Sequence, residues 1–377
     1  MFGVVMMNKR IFRNTSKAIS LLGMGGMRFP TLENGDIDVQ KATEIIDYAY
    51  ENGVNYYDTA YMYHGGKSEA FMGNALSKYP RESYYLTDKM PIWMADTPAD
   101  AEKIFEEQLV KCNVDYFDFY LCHALDSENF DRLVEFKTVD FLLEKKKEGK
   151  IKHLGFSFHD TPEVLEQILK AYPWEFCQLQ LNYFDWDYQD ARTQYELCIK
   201  YGVQVVVMEP VRGGTLADLG EKANAFLKSV NPDRSIASWA IRYAMQGDNI
   251  LTVLSGMSTI EQVKDNIATA SGTVELTEEE TEALSKALEE FKKSKMIPCT
   301  GCNYCDGCPV GIDIRNMFRI YNADAFSNSK NGFKKAYREL EEQHRADKCI
   351  KCGKCAKVCP QSIDIPAEME NICRIIG

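Results

Sequence analysis

The chain has 377 residues, 45% of them hydrophobic and 27% charged. That balance suits one large domain with a small one and excludes a disordered chain. The formal net charge of -12 excludes nucleic acid and anionic membranes as general partners, because both repel an acidic surface, and it leaves room for a basic redox partner. No apolar run is long enough to span a bilayer, and Met1 to Arg10 lacks the order of an export signal, so a cytoplasmic protein is expected.

Short apolar runs recur from residue 20 to about 255: Ile19 to Leu22, Val54 to Tyr57, Tyr84 to Thr87, Phe117 to Cys122, Ile151 to Phe156, Phe176 to Leu181, Val203 to Met208 and Ile250 to Leu254. Each reads as a strand buried on both faces. Between them, Val39 to Glu51, Pro98 to Lys111, Leu133 to Lys147 and Pro162 to Ala171 carry apolar residues at three- and four-residue intervals and read as helices. Thr97-Pro98 and Thr161-Pro162 have the form of capped helix starts. Strand and helix alternating eight times predict an α/β fold, a closed (β/α)8 TIM barrel. The rival, a doubly wound sheet, wants a G-x-G-x-x-G turn that Gly23-Met24-Gly25-Gly26 does not supply. Two further helices, Ile260 to Ala270 and Thr277 to Lys293, complete an expected barrel domain over 1–294. Residues 295–377 form a second, mostly helical domain rich in cysteine, with Tyr321 to Arg345 as a helical connector.

In such a barrel, reactive residues sit at the C-terminal ends of the strands. There the chain places Asp58, Tyr63, Lys89 and His123. In order and approximate spacing these resemble the catalytic tetrad of the aldo-keto reductases, a resemblance that covers about residues 16 to 294. It implies NAD(P)H-dependent reduction of a carbonyl, or oxidation of the alcohol. Tyr63 would donate the proton, Lys89 would draw the tyrosine pKa down from about 10, Asp58 would hold Lys89, and His123 would align the carbonyl oxygen. The same resemblance assigns Gly25, Gly26 and Met27 to a loop against the nicotinamide. Ser157 with His159, and Gln180 with Asn182, would bind its carboxamide. Met208, Pro210, Arg212 and Gly214 would lie over the nicotinamide and pyrophosphate, and Ser255, Gly256, Ser258, Gln262 and Asn266 at the adenosine end. NADP(H) is the implied cofactor. Gly256 and Gln262 stand where many members carry lysine and arginine around the 2′-phosphate, so NAD(H) stays open, and Met208 stands where an aromatic ring often stacks. Cys112, Cys122, Cys177 and Cys198 lie in apolar runs and are expected in the core, and Trp93, Trp186 and Trp239 as packing.

The cysteine runs are Cys299-x2-Cys302-x2-Cys305-x2-Cys308-Pro309 and Cys349-x2-Cys352-x2-Cys355-x3-Cys359-Pro360. Two-residue spacings turn three thiolates toward one cube, and a remote cysteine before proline closes the other site, so two [4Fe-4S] clusters are expected, as in bacterial two-cluster ferredoxins. By that logic Cys359 joins Cys299, Cys302 and Cys305, and Cys308 joins Cys349, Cys352 and Cys355. The two-residue gap before Cys308 departs from the pattern there. Zinc is the alternative, though it favours two cysteine pairs over a triplet plus one. Cys373 lies outside the pattern.

A hydride carries two electrons and a four-iron cluster one, which separates three functional readings. The barrel reduces a small-molecule carbonyl while the clusters are structural or sense redox state; or the clusters pass electrons between an external ferredoxin, or another redox protein, and a barrel-bound substrate; or the barrel binds nucleotide to regulate a partner.

Overall fold

The computed structural model describes residues 6–13, 15–326 and 330–377. Residues 1–5, within the Met1 to Arg10 segment expected not to be an export signal, and residues 327–329 of the expected connector lie outside them. Eight strands close a parallel barrel: β3 (Leu22–Gly25), β4 (Tyr56–Asp58), β5 (Tyr85–Met90), β6 (Phe117–Leu125), β7 (Ile151–Phe158), β8 (Phe176–Gln180), β9 (Gln204–Met208) and β10 (Ile250–Ser255), which pairs with β3. Preceding them, β1 (Lys9–Ile11) and β2 (Ala18–Ser20) form an antiparallel hairpin.

The strands read as continuous apolar runs because one set of side chains fills the barrel and the other packs outward. Phe12, Ile19, Tyr56, Phe119, Leu121, Phe176, Val206, Leu251 and Leu254 make one buried cluster, and a second, larger one packs around it. The first strand differs from the Ile19 to Leu22 expectation. Ile19 belongs to β2, paired through Arg10 with the hairpin, and the barrel strand begins at Leu22. A run of apolar residues carries no mark of which partner it pairs with, and the hairpin claims its first half.

The helices Val39–Glu51, Pro98–Cys112, Pro162–Ala171, Ile260–Ser271 and Glu278–Phe291 match the periodic segments closely. Thr97 makes a full capping box with Asp100, whereas Thr161 occupies an N-cap position without a side-chain bond. The segment expected as one helix over Leu133 to Lys147 is two, Ser127–Glu135 and Thr138–Lys147, because Lys137 adopts a left-handed backbone at φ 53° and interrupts the hydrogen-bond ladder.

The chain forms two compact units. One runs to Val211 and includes Ser238–Leu276; the other comprises Arg212–Ala237 and Thr277–Gly377. This division differs from a boundary at residue 294: the helices Glu221–Val230 and Glu278–Phe291 pack on each other and cluster with the cysteine-bearing segment. The second unit has its own apolar core, including Ile297, Met317, Phe318, Phe333, Ile365 and Met369. Among the described residues no helix is long and apolar enough to cross a membrane.

Candidate active site and cysteine centres

Strand register assembles the tetrad. Asp58, the last residue of β4, is paired with Thr87 on β5, so Lys89 lies two residues further along the same face. Lys89 is in turn paired with Leu121 of β6, which puts His123 on that face as well. Lys89 Nζ donates to Asp58 Oδ1 at 2.5 Å and to the Thr59 carbonyl at 2.6 Å, and both side chains are almost fully buried. Tyr63 opens a short turn, Tyr63–Gly66, and its ring centre lies 4.7 Å from Lys89 Nζ. The His123 ring meets the Tyr63 ring edge to face at 6.0 Å. Trp93 lies 5.1 Å from His123 on the other side. It sits in the turn after β5, where the sequence offered only a packing role.

Burial raises the Asp58 pKa, against the pull of Lys89. Burial, then Asp58 and Glu209, push the Tyr63 phenol well above its ordinary value. The expectation that Lys89 draws Tyr63 down is therefore not what this arrangement yields. Asp58 holds the lysine charge in a buried pair, and the phenol keeps the proton a donor needs. Burial, Lys89 and His159 hold the His123 imidazole well below its usual range, so at neutral pH it is uncharged.

The peptide of Lys89 is held from behind. Its N–H donates to Asp88 Oδ1 at 2.8 Å, and its carbonyl accepts from Gln108 Nε2 at 2.9 Å. Gln108 also donates to Glu69 Oε1 at 3.1 Å and accepts from the Tyr120 hydroxyl, and Lys111 Nζ lies 3.1 Å from Glu69 Oε2. A buried polar network of this kind fixes the orientation of the strand end. The sequence did not single out Gln108, although glutamine among the apolar positions of an amphipathic helix is a signal of its own.

The residues assigned to the nucleotide belong to the first unit, with two exceptions; most lie on strand ends and loops, and Gln262 and Asn266 lie on the helix Ile260–Ser271. Gly26 is tightly packed: a Cβ there would stand 2.9 Å from the Asp58 carbonyl and from Ser68 Oγ, so its own neighbours already require glycine. Gly25 has only ordinary contacts, and Met27 is half-buried. Ser157 Oγ accepts from the Ala124 amide at 2.7 Å, at a left-handed kink in β6 just past His123. His159 is held at about 4 by burial. Gln180 and Asn182 both donate to Asp185 Oδ2, at 2.7 and 2.6 Å. Met208 is half-buried and Pro210 buried. Asn266 donates to Ser255 Oγ at 3.1 Å, the Ser258 amide to Gln262 Oε1 at 2.8 Å, and Ser258 Oγ to the Arg28 carbonyl at 2.6 Å. A Cβ on Gly256 would meet the Arg28 side chain at 3.0 Å, and the Arg28 guanidinium pairs with Glu209 at 3.2 Å. The exceptions are Arg212 and Gly214, which belong to the second unit. Arg212, expected beside the pyrophosphate, is instead bonded to Pro298 and Gln361.

In the second unit, Cys299, Cys302, Cys305 and Cys359 line one cavity. Cys308, Cys349, Cys352 and Cys355 line another, which Cys305 also borders. Each cavity thus takes thiols from both runs. Burial raises the Cys299 and Cys355 thiols and pushes Cys305 up to about 12. Thiols so placed become thiolates on binding metal, and four of them around an apolar cavity fit a four-iron cluster.

The model of the aldo/keto reductase family matches residues 21–289. The chain belongs to that family. In this aldo/keto reductase, residues 298–364 match a second model, the 4Fe-4S dicluster domain. The reductase is 28% identical to an uncharacterized oxidoreductase of Bacillus subtilis over 74% of its own length and 95% of the relative's. It is 27% identical to the NADH-specific methylglyoxal reductase of Escherichia coli, over 62% and 84%. Among solved structures it resembles the holo form of an aldo-keto reductase from Bacillus halodurans, with 29% identity, coverage of 74% and 96%, and a TM-score of 0.62. It is an oxidoreductase carrying an added iron-sulfur domain.

Proposed function

We propose that the barrel reduces a small-molecule carbonyl with NADP(H) or NAD(H), that Tyr63 is the proton donor, and that the eight cysteines hold two [4Fe-4S] clusters in the crossed sets defined by the two cavities. The observation that carries this reading is the buried Lys89–Asp58 pair beneath the Tyr63 ring, with an uncharged His123 at its edge. When bound, the nicotinamide supplies hydride and the clusters supply single electrons.

Protonated Tyr63 donates from its hydroxyl to the carbonyl oxygen, and neutral His123 can hydrogen-bond the same oxygen and orient it. Lys89, anchored by Asp58 and Thr59, places positive charge beneath the ring where phenolate charge develops. The name of the Escherichia coli relative supports a carbonyl substrate. A reading in which the clusters exchange electrons with an external ferredoxin is supported by the matched dicluster domain.

Anaerobic titration of the iron-loaded protein with NADPH and NADH, following nicotinamide absorbance and the reduced-cluster EPR signal together, tests both. Tight binding with oxidised clusters and carbonyl turnover supports the reductase reading. Cluster reduction without added substrate supports electron exchange. Binding of neither nucleotide overturns the assignment.

A further inference from the structure

Arg212 is buried, with 2% of its surface exposed, in the unit that holds the cysteine cavities. It takes a left-handed backbone at φ 51°, as does the following Gly213 at φ 65°. Its Nη1 donates to the Pro298 carbonyl at 3.0 Å, the peptide immediately before Cys299. Its Nη2 donates to Gln361 Oε1 at 2.9 Å, two residues past Cys359. The fork therefore joins the two stretches of chain that carry the first and last cysteines of one cavity, and Gln361 lines that cavity itself. The approach is close: a Cβ on Gly213 would stand 2.0 Å from the Thr300 carbonyl, so only glycine lets the Arg212-Gly213 turn seat against the cysteine loop. Arg315 also lines the cavity, but its guanidinium is in a two-bond pair with Asp306, at 3.0 and 3.1 Å.

We propose that Arg212 sets the reduction potential of the cluster held by Cys299, Cys302, Cys305 and Cys359, by placing a permanent, buried positive charge beside it. This rests on the crossed ligand set proposed above. A guanidinium does not lose its proton in a protein, so its charge is constant across the working pH range. Reduction adds one negative charge to the cluster, and a fixed cation nearby stabilises the reduced form, which raises the potential. Because Arg212 lies only four residues after Met208, the chain that forms the loop after β9 also carries the charge that poises the cluster.

The test is EPR-monitored potentiometry of the full-length, iron-loaded protein as wild type, Arg212→Met and Arg212→Lys. In Arg212→Met one of the two potentials should fall. At a fixed solution potential the reduced-to-oxidised ratio of that cluster should drop about tenfold, ~59 mV for one electron. The other cluster should not move, and Arg212→Lys should keep most of the wild-type value. Unchanged potentials, equal shifts of both clusters, or an equal fall in Arg212→Lys would overturn the proposal. If Arg212→Met fails to hold the cluster, Arg212→Lys decides alone: a loaded cluster near the wild-type potential supports the proposal, and loss or a lowered potential overturns it. Cys359→Ser tests the ligand set separately. If it alters the cluster that Arg212 does not control, the ligand assignment fails while the charge effect stands.

Discussion

In the first unit Lys89 is held at every polar point by protein: its ammonium by Asp58 and Thr59, its amide by Asp88, its carbonyl by Gln108. In the second, the thiols of each cavity come from two runs far apart in sequence, and burial favours the neutral form of Cys299, Cys305 and Cys355. The tetrad is preorganised by strand register and hydrogen bonds, and needs no ligand to exist. The cysteine centres would be complete only with metal, whose binding would deprotonate the proposed ligand thiols. The two candidate sites should therefore differ in tolerance: strand register and hydrogen bonds hold the first, and a bound cluster would hold the second.

The largest effect should come from the preorganised site. Tyr63→Phe should lower carbonyl turnover roughly 10²- to 10⁴-fold, the usual contribution of a general acid, with nucleotide binding retained in a fluorescence titration. Turnover within a few-fold of wild type would remove Tyr63 from its role. Iron removal is the next contrast. An anaerobic chelator should lower the melting temperature of the second unit and open it to proteolysis beyond Pro298, while the barrel keeps its protection. A barrel that loosens in step would mean that its order also depends on the clusters.

The smallest effect is a pH dependence confined to the barrel. Burial lowers the His159 pKa to about 4 from an ordinary 6.5. Between those values the unfolded chain binds a proton that the folded one does not, so the stability contribution is full above about pH 6.5 and is lost as pH falls toward 4. His123 acts in the same direction. The melting temperature measured across that window should decline on acidification, and His159→Asn should remove part of the slope.

Much of this was legible before folding was considered. Buried parallel strands advertise themselves as short apolar runs, helices by their period, and an iron-sulfur domain by its cysteine spacing, because each pattern is local. The candidate tetrad could be proposed because barrel chemistry gathers at strand ends, and Asp58, Lys89 and His123 stand there. The reading weakened wherever an outcome depended on a distant partner. Ile19 reads as barrel, yet the hairpin claims it, and the partner against which Trp93 packs, His123, has no trace in the sequence around Trp93. Gln108 shows its role only in its contact with the Lys89 carbonyl. Arg212 is the clearest case. Its position in sequence pointed to a nucleotide phosphate, while two left-handed residues turn the chain so that its fork meets Pro298 and Gln361. The sequence by itself determined the barrel and the cysteine runs, and offered four candidate residues at the barrel's rim. Only the tertiary structure decided which side chains hold those groups in place, because hydrogen bonds between residues far apart in the chain leave no periodic trace.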